Sequence, residues 1–354
     1  FNDQAPYFMQ QVASEIELKL GILNLATDGL KIYTTLNAGM QKAAEASVSN
    51  LIKDASIHRL SQVKRDDLQA ALVAIDPHSG AVIAMQGGSS FNLSQFNRAA
   101  ATYRPIGPLI IPIYAALALE QGLKLTSHID EDPYGGSPRG TRLSPTILEV
   151  IKSGDATLGL PLVSTLGLGT LSSFAKRLGL GTGAADFRLA IGEVKSSPLQ
   201  LALTYAAFVA DGKVEEPYAV DRIIDGRGRV IYQRSKPPAP TVMAATTARQ
   251  ISSALEAATT DGHAKLKTTN PHETGGMSGA SEDLRDSWYV GLRPEVVTTV
   301  WLGSEHGGTR IADTNKEARE LIGKAWVSFA GSPACQESRQ ATRSRVLRET
   351  SKGL

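Results

Sequence analysis

Apolar positions recur at helical spacing near the start of the chain. Phe8, Val12, Ile16 and Leu20 fall four residues apart, which predicts a helix within residues 7–23. Residues 30–36 (LKIYTTL) change to β-type composition, and Asn37 stands where a cap would start an Ala-rich, periodic helix over 38–52. Residues 53–67 are polar and read as a linker. Two apolar runs follow, AALVAI at 70–75 and AVIAM at 81–85, separated by Asp76-Pro77-His78-Ser79-Gly80. Turn residues between two such runs predict a β-hairpin. A Gly-rich loop (87–90) leads on to residues 108–119, an apolar stretch that reads as a buried helix.

From 126 to 181 the signals are helical with glycine breaks, and 199–210 is another apolar helix ended by Asp211-Gly212. Residues 218–232 alternate around Asp225-Gly226 and predict a second hairpin. A helix over 246–258, strands over 286–292 and 296–303, and a closing helix over 316–330 complete the pattern. Residues after Gly331 are polar and basic, with Arg339, Arg343, Arg345, Arg348 and Lys352, and predict a mobile tail. Hairpins here outnumber regular strand–helix–strand alternation, so the fold class is α+β.

Composition narrows the function without choosing it. The 354 residues are 42% hydrophobic and 20% charged, ordinary for a globular protein. A net charge of +2 and 6% aromatic residues give no argument for nucleic acid as a partner. The single cysteine, Cys335, excludes an intrachain disulfide and a thiolate metal cluster. The apolar stretch at 108–119 is too short to span a bilayer. The first ten residues lack the basic start and apolar core of a signal peptide, and the chain opens on Phe1, so a fragment of a longer protein is expected.

Six segments, in order, resemble the transpeptidase region of class A penicillin-binding proteins. They are LKIYTTLNAGMQKAAEAS (30–47), ALVAIDPHSGAVIAMQGG (71–88), QFNRA (95–99), IGEVKSSPLQLALTYAAFVADG (191–212), RDSWYVG (285–291) and VWLG (300–303). The resemblance as a whole covers roughly residues 5–330. The resemblance implies a five-stranded antiparallel sheet flanked by helices, with the active site between sheet and helical subdomain. It also implies a domain plan: 1–69 leading from an upstream glycosyltransferase domain, 70–330 the transpeptidase-like domain, and 331–354 the tail.

The family's chemistry rests on three elements. The first is S-x-x-K at a helix start, where the lysine lies one turn from the serine and takes its proton. The matching segment is Arg104-Pro105-Ile106-Gly107-Pro108-Leu109-Ile110-Ile111-Pro112, so Pro108 holds the serine position and Ile111 the lysine position. Proline has no nucleophile and isoleucine no base, although proline suits a helix start. The second element, S-x-N, matches Ser153-Gly154-Asp155; Asp155 lacks the donors of an amide, and Ser153 reads as a packing or capping residue. The third, K-T-G, matches Met277-Ser278-Gly279 when counted back from Asp286, or Glu273-Thr274-Gly275 in a slipped register. Neither register supplies the cation that attracts a substrate carboxylate.

Nucleophile, base, amide and carboxylate anchor are therefore all replaced. The resemblance implies cell-wall (peptidoglycan) synthesis, and the departures imply a pseudo-transpeptidase with a scaffolding or regulatory role. Ser153, Asp155, Ser278 and Gly279 would line a vestigial groove. The alternatives are an active D,D-transpeptidase using an unrecognised serine, and a non-catalytic module that binds stem peptides. No cofactor or metal is implied. The implied partners are the upstream glycosyltransferase domain and other wall-synthesis proteins. The implied location is outside the cytoplasmic membrane, anchored by an upstream helix.

Other strings carry little chemistry. Ser61–Lys64 and Ser173–Lys176 repeat S-x-x-K by chance, and Lys152-Ser153-Gly154 mimics K-S-G where S-x-N belongs. Gly87-Gly88 lacks the lysine of a phosphate loop. The six histidines do not cluster and read as solvated or turn residues. The segment 125–143 is short for the family's loop there.

Overall fold

A computed structural model describes residues 4–21, 29–58, 68–129, 144–181, 183, 185–266, 274–304 and 310–341. In chain order the first elements are α1 (Pro6–Leu20), β1 (Lys31–Thr34), α2 (Ala38–His58), β2 (Leu68–Ile75), β3 (Val82–Gln86), α3 (Arg98–Ala101), β4 (Arg104–Pro105) and α4 (Ile111–Glu120). Then come α5 (Ile147–Ser153), α6 (Leu160–Leu166), α7 (Leu168–Arg177), α8 (Phe187–Ala190), β5 (Lys195–Ser196) and α9 (Pro198–Ala206). The last are β6 (Val220–Ile224), β7 (Val230–Gln233), α10 (Ala245–Asp261), β8 (Gly275–Ala280), β9 (Asp286–Leu292), β10 (Val297–Ser304) and α11 (Asn315–Ala330).

The main sheet has five strands in the order β3-β2-β10-β9-β8, and every neighbouring pair is antiparallel. This is the expected α+β architecture. β2, β9 and β10 are buried at every position, which requires cover on both faces. That explains why residues 70–75 of β2 form an unbroken apolar run rather than an alternation. Two adjacent residues of β9 show the two covers. Ser287 Oγ donates to Ala318 O of α11 (3.2 Å), while Trp288 Nε1 donates to Pro105 O (2.8 Å) beside α4. α2 shares the α11 face, and α9 packs on the other. Trp288 and Trp301 are both essentially unexposed within this core, and each such side chain stabilises the fold by roughly 1.5–3 kcal/mol through burial.

Asn37 caps α2, its Oδ1 accepting from Met40 N (2.9 Å). The helix runs to His58, past the predicted end at 52, because its apolar stripe of Met40, Ala44, Val48, Leu51 and Ala55 continues into the core. Conversely, α9 stops at Ala206 and residues 207–212 turn. Both α1 and α2, from the part expected to lead into the domain, pack on it. Residues 333–341 of the expected tail are helical and bury Cys335, a correction to the reading of everything after Gly331 as mobile. Residues 342–354, the decoy Ser61–Lys64 and the short loop 130–143 lie outside the described residues. β6 and β7 form the second predicted hairpin and join β1 in a small sheet.

Candidate functional site

The start of α4 is held from three sides. Arg104 and Pro105 pair with Ser196 and Lys195, and the amides of Ile106 and Gly107 both donate to Gly192 O (3.1 and 2.9 Å). Gly107, at φ 55°, turns the chain into a 3-10 turn over Gly107–Ile110 that continues as α4. Tyr205 Oη of α9 donates to Leu109 O (2.8 Å) in the buried interior. Pro108 is half-buried in this first turn, where its missing N–H costs nothing. Ile111 is fully buried, one turn further on. An intact helix start therefore presents neither a hydroxyl nor an amine.

β8 runs past this turn. A Cβ on Gly279 would collide with Leu109 Cδ1 and lie 3.2 Å from both Ile106 O and Pro108 Cδ. Met277-Ser278-Gly279 is thus the stretch set beside Pro108. Gly275 instead abuts Leu255 and Glu256 of α10, and Glu273 lies outside the described residues. Strand alternation puts Met277, unexposed and in the core, on the Gly279 face. Ser278 points the other way; it is 1% exposed and its Oγ has no hydrogen-bond partner.

The Ser153–Asp155 segment ends α5, whose start carries a full capping box between Thr146 and Glu149. Ser153 Oγ donates to Val150 O (2.8 Å) and accepts from Asp155 N (3.1 Å). Asp155 Oδ1 accepts from Thr157 N (2.9 Å) and Thr157 Oγ1 (2.6 Å), capping the next turn. Both side chains are occupied with local backbone. Gly154 ends the helix at φ 63°, and a Cβ there would collide with the ring of His263.

His263 is the residue that the sequence did not single out. It is a turn histidine, as read, but not a solvated one. Its ring lies between α5 and β8, with Nδ1 3.2 Å from Lys152 O and Nε2 3.1 Å from Ser278 O, and its own N–H donates to Lys152 O (2.8 Å). The imidazole thus fills the gap between the second and third motif segments. Burial holds its pKa below the ordinary value, with the Arg319 charge acting in the same direction. No sequence signal marks this role, because both partners are backbone carbonyls.

Titratable side chains around these segments are engaged or buried. Lys152 is paired with Asp261 (2.8 Å). Tyr114, inside α4, is wholly buried; burial and then the nearby Asp155 charge push its pKa well above the ordinary range. Ser173 is exposed on α7. Asp286, the first residue of β9, is buried, accepting from Trp301 Nε1 (3.0 Å) with Arg104 Nε at 3.8 Å, and desolvation pushes its pKa up to about 6. Among the described residues, no group of three or more His, Cys, Asp or Glu could hold a metal ion.

Comparison with known proteins agrees with this geometry. The family description "Penicillin binding protein transpeptidase domain" matches residues 70–301. Penicillin-binding protein 1A of Aquifex aeolicus is 30% identical over 267 residues, 70% of this chain and 37% of that protein. Penicillin-binding protein 1B of Vibrio cholerae is 28% identical over 320 residues, 85% of this chain and 40% of that protein. The chain therefore spans less than half the length of these relatives. Penicillin-binding protein 1A from Haemophilus influenzae superposes with a TM-score of 0.80 at 20% identity, covering 93% of this chain and 70% of that one. PonA1 from Mycobacterium tuberculosis superposes with a TM-score of 0.76 at 22% identity, covering 92% of this chain and 90% of that one. A matched sequence over nearly two thirds of its length, on the five-stranded sheet and helix start of that fold, makes this chain a member of the penicillin-binding protein transpeptidase domain family.

Proposed function

We propose that this domain is a pseudo-transpeptidase, keeping the family frame for a structural or regulatory task in peptidoglycan synthesis and performing no acyl transfer. One observation carries the reading. Gly279 and Pro108 are in contact, so strand and helix start meet as a reactive site would need, yet the position that should attack carries a pyrrolidine ring. Ile111 offers no base, and Met277 offers no cation to a carboxylate. Asp155 adds an exposed anion where a substrate amide would be held, and an anion disfavours an acidic ligand. Ser153 is engaged with Val150 O and Asp155 N, which supports a capping role for it.

The same reading places the domain in a longer, class A-type protein. There it follows a glycosyltransferase domain and a membrane-anchoring helix and works outside the cytoplasmic membrane. The relatives named penicillin-binding proteins 1A and 1B, which this chain covers only in part, support that placement. The domain would then position the glycosyltransferase or dock other wall-synthesis proteins.

Incubation with excess benzylpenicillin followed by intact-mass measurement tests the central claim. The mass is expected to stay unchanged. A stoichiometric adduct would overturn the reading, and peptide mapping of the adduct would identify the serine that reacts.

A further inference from the structure

A cavity of about 870 Å³ opens between α11, the adjoining face of β8 and β9, and residues 263–266. It lies outside the three motif segments except at Ser278. Four cations border it, Lys265, Lys316, Arg319 and Lys324, against one carboxylate, Glu320. Among the described residues, none of the four cations has a carboxylate within ion-pair distance. Arg319 is half-buried, and desolvation is the largest influence on its guanidinium, lowering its pKa. Four cations gathered around one carboxylate, Glu320, repel one another more than that single counter-charge offsets, so the arrangement costs stability unless something else uses it.

The inner wall gives a second, independent observation. Ser278 and Tyr289 both line the cavity, both residues are 1% exposed, and neither Ser278 Oγ nor Tyr289 Oη has a hydrogen-bond partner. Buried hydroxyls are nearly always paired, and an unpaired one is costly. Here two of them stand on neighbouring strands, at the paired positions Ser278 and Tyr289, facing the same space as the cations. Hydroxyl donors beside lysine and arginine form the donor set that suits a phosphate oxygen. The volume falls within the roughly 300–1,000 Å³ usual for small-molecule sites. Leu266 and Val327 add apolar wall, so the site suits an oxyanion carried on a larger body as well as a free one.

We infer that this cavity binds a multiply charged phosphate-class oxyanion, held by Arg319, Lys316, Lys324 and Lys265 at its mouth and by the Ser278 and Tyr289 hydroxyls at its floor. The inference stands apart from the loss of acyl transfer, because apart from Ser278 it uses side chains that the catalytic motifs do not. His263 borders both the cavity and the old cleft, so its ring reports occupancy from inside.

The test is a calorimetric titration of the chain with inorganic pyrophosphate, repeated with inorganic phosphate and with phosphatidylglycerol vesicles. Saturable one-to-one binding of pyrophosphate is expected, weakened about tenfold or more in the Arg319→Gln/Lys324→Gln double variant and unchanged in Lys176→Gln on α7. The imidazole proton resonance of His263, assigned by its loss in His263→Gln, is expected to move with the same saturation curve. Binding to vesicles alone that is lost in the double variant assigns the oxyanion to a lipid headgroup. No saturation below about 10 mM pyrophosphate together with no vesicle binding would overturn the inference, as would affinities indifferent to the double variant. A His263 resonance that stays still while pyrophosphate saturates would place the ion elsewhere and overturn it equally.

Discussion

The backbone of Gly279 and the ring of Pro108 are neighbours with no room between them: a Cβ on Gly279 would sit 3.2 Å from Pro108 Cδ and would strike Leu109 Cδ1. The strand and the helix start are fitted through the absence of a side chain. Gly279→Ala should therefore destabilise the domain by about 1–3 kcal/mol, the usual cost of overpacking a closed contact. Leu109 Cδ1 is flexible and can retreat, but Ile106 O is backbone, fixed by the bonds its neighbouring amides make to Gly192. A urea midpoint equal to the parent's would show that the strand and helix start are not in contact.

Restoring the hydroxyl alone should restore nothing. Pro108→Ser places an alcohol at the helix start, but the residue one turn on is the buried Ile111 and the strand opposite carries Met277. An unactivated serine is a weak nucleophile at neutral pH. The variant is expected to fold, with a melting temperature within a few degrees of the parent, and to show no mass adduct after incubation with benzylpenicillin. An adduct on the introduced serine would mean that a base reaches this position from a side chain outside the motifs.

The elements that the sequence disclosed are those whose side chains carry the signal. The hairpin of β2 and β3, the late strands β9 and β10, and the cap at Asn37 all follow from apolar runs, turn residues and a capping side chain. β8 (GGMSGA) has no such pattern, because its glycines let the start of α4 and Tyr289 approach; only counting back from Asp286 located it. Pro108 and Ile111 could be placed from the sequence because a helix start has a fixed frame of residues around it. His263 was not readable, since it is held by the carbonyls of Lys152 and Ser278, which any residue would supply. The basic cavity was invisible for another reason. Lys265 and Ser278 come from one part of the chain and Arg319 from another, and only the packing of α11 on the sheet brings them to one space.

Asp286 should make stability depend on pH in the sense opposite to most carboxylates. Burial raises its pKa from 3.8 to about 6 despite the favourable Trp301 N–H and Arg104. Between those values the unfolded chain has already given up its proton while the folded chain keeps it. Stability therefore falls as pH rises from about 4 to about 6 and stays lower above that. Asp286→Asn keeps an acceptor for Trp301 and removes the titration. The difference in unfolding free energy between parent and variant should change by about 1–3 kcal/mol across this window, in the variant's favour at the upper end. Curves that run parallel from pH 4 to 7 would show Asp286 to be solvated or fully compensated.

His263 should give the reverse dependence below pH 6.5. A neutral imidazole has one N–H and can donate to only one of the two carbonyls it faces, while an imidazolium would donate to both. Desolvation nevertheless dominates and keeps the folded pKa below the ordinary 6.5. The charges around the ring agree with that direction: Arg319, Lys316 and Lys265 border the cavity on one side, and on the α5 side Lys152 is neutralised by Asp261. As pH falls below 6.5 the unfolded chain takes up a proton that the folded chain refuses, so stability present at neutral pH is lost progressively down to the folded pKa and then levels off. His263→Gln should remove this component while costing about 0.5–1.5 kcal/mol at pH 8 through the weakened bridge from α5 to β8. The measurement is the urea midpoint of parent and variant at half-unit steps from pH 8 to 5, with the two curves converging toward acid. Curves that diverge toward acid would mean that protonation strengthens the bridge, and that His263 is held as a cation donating to both Lys152 and Ser278.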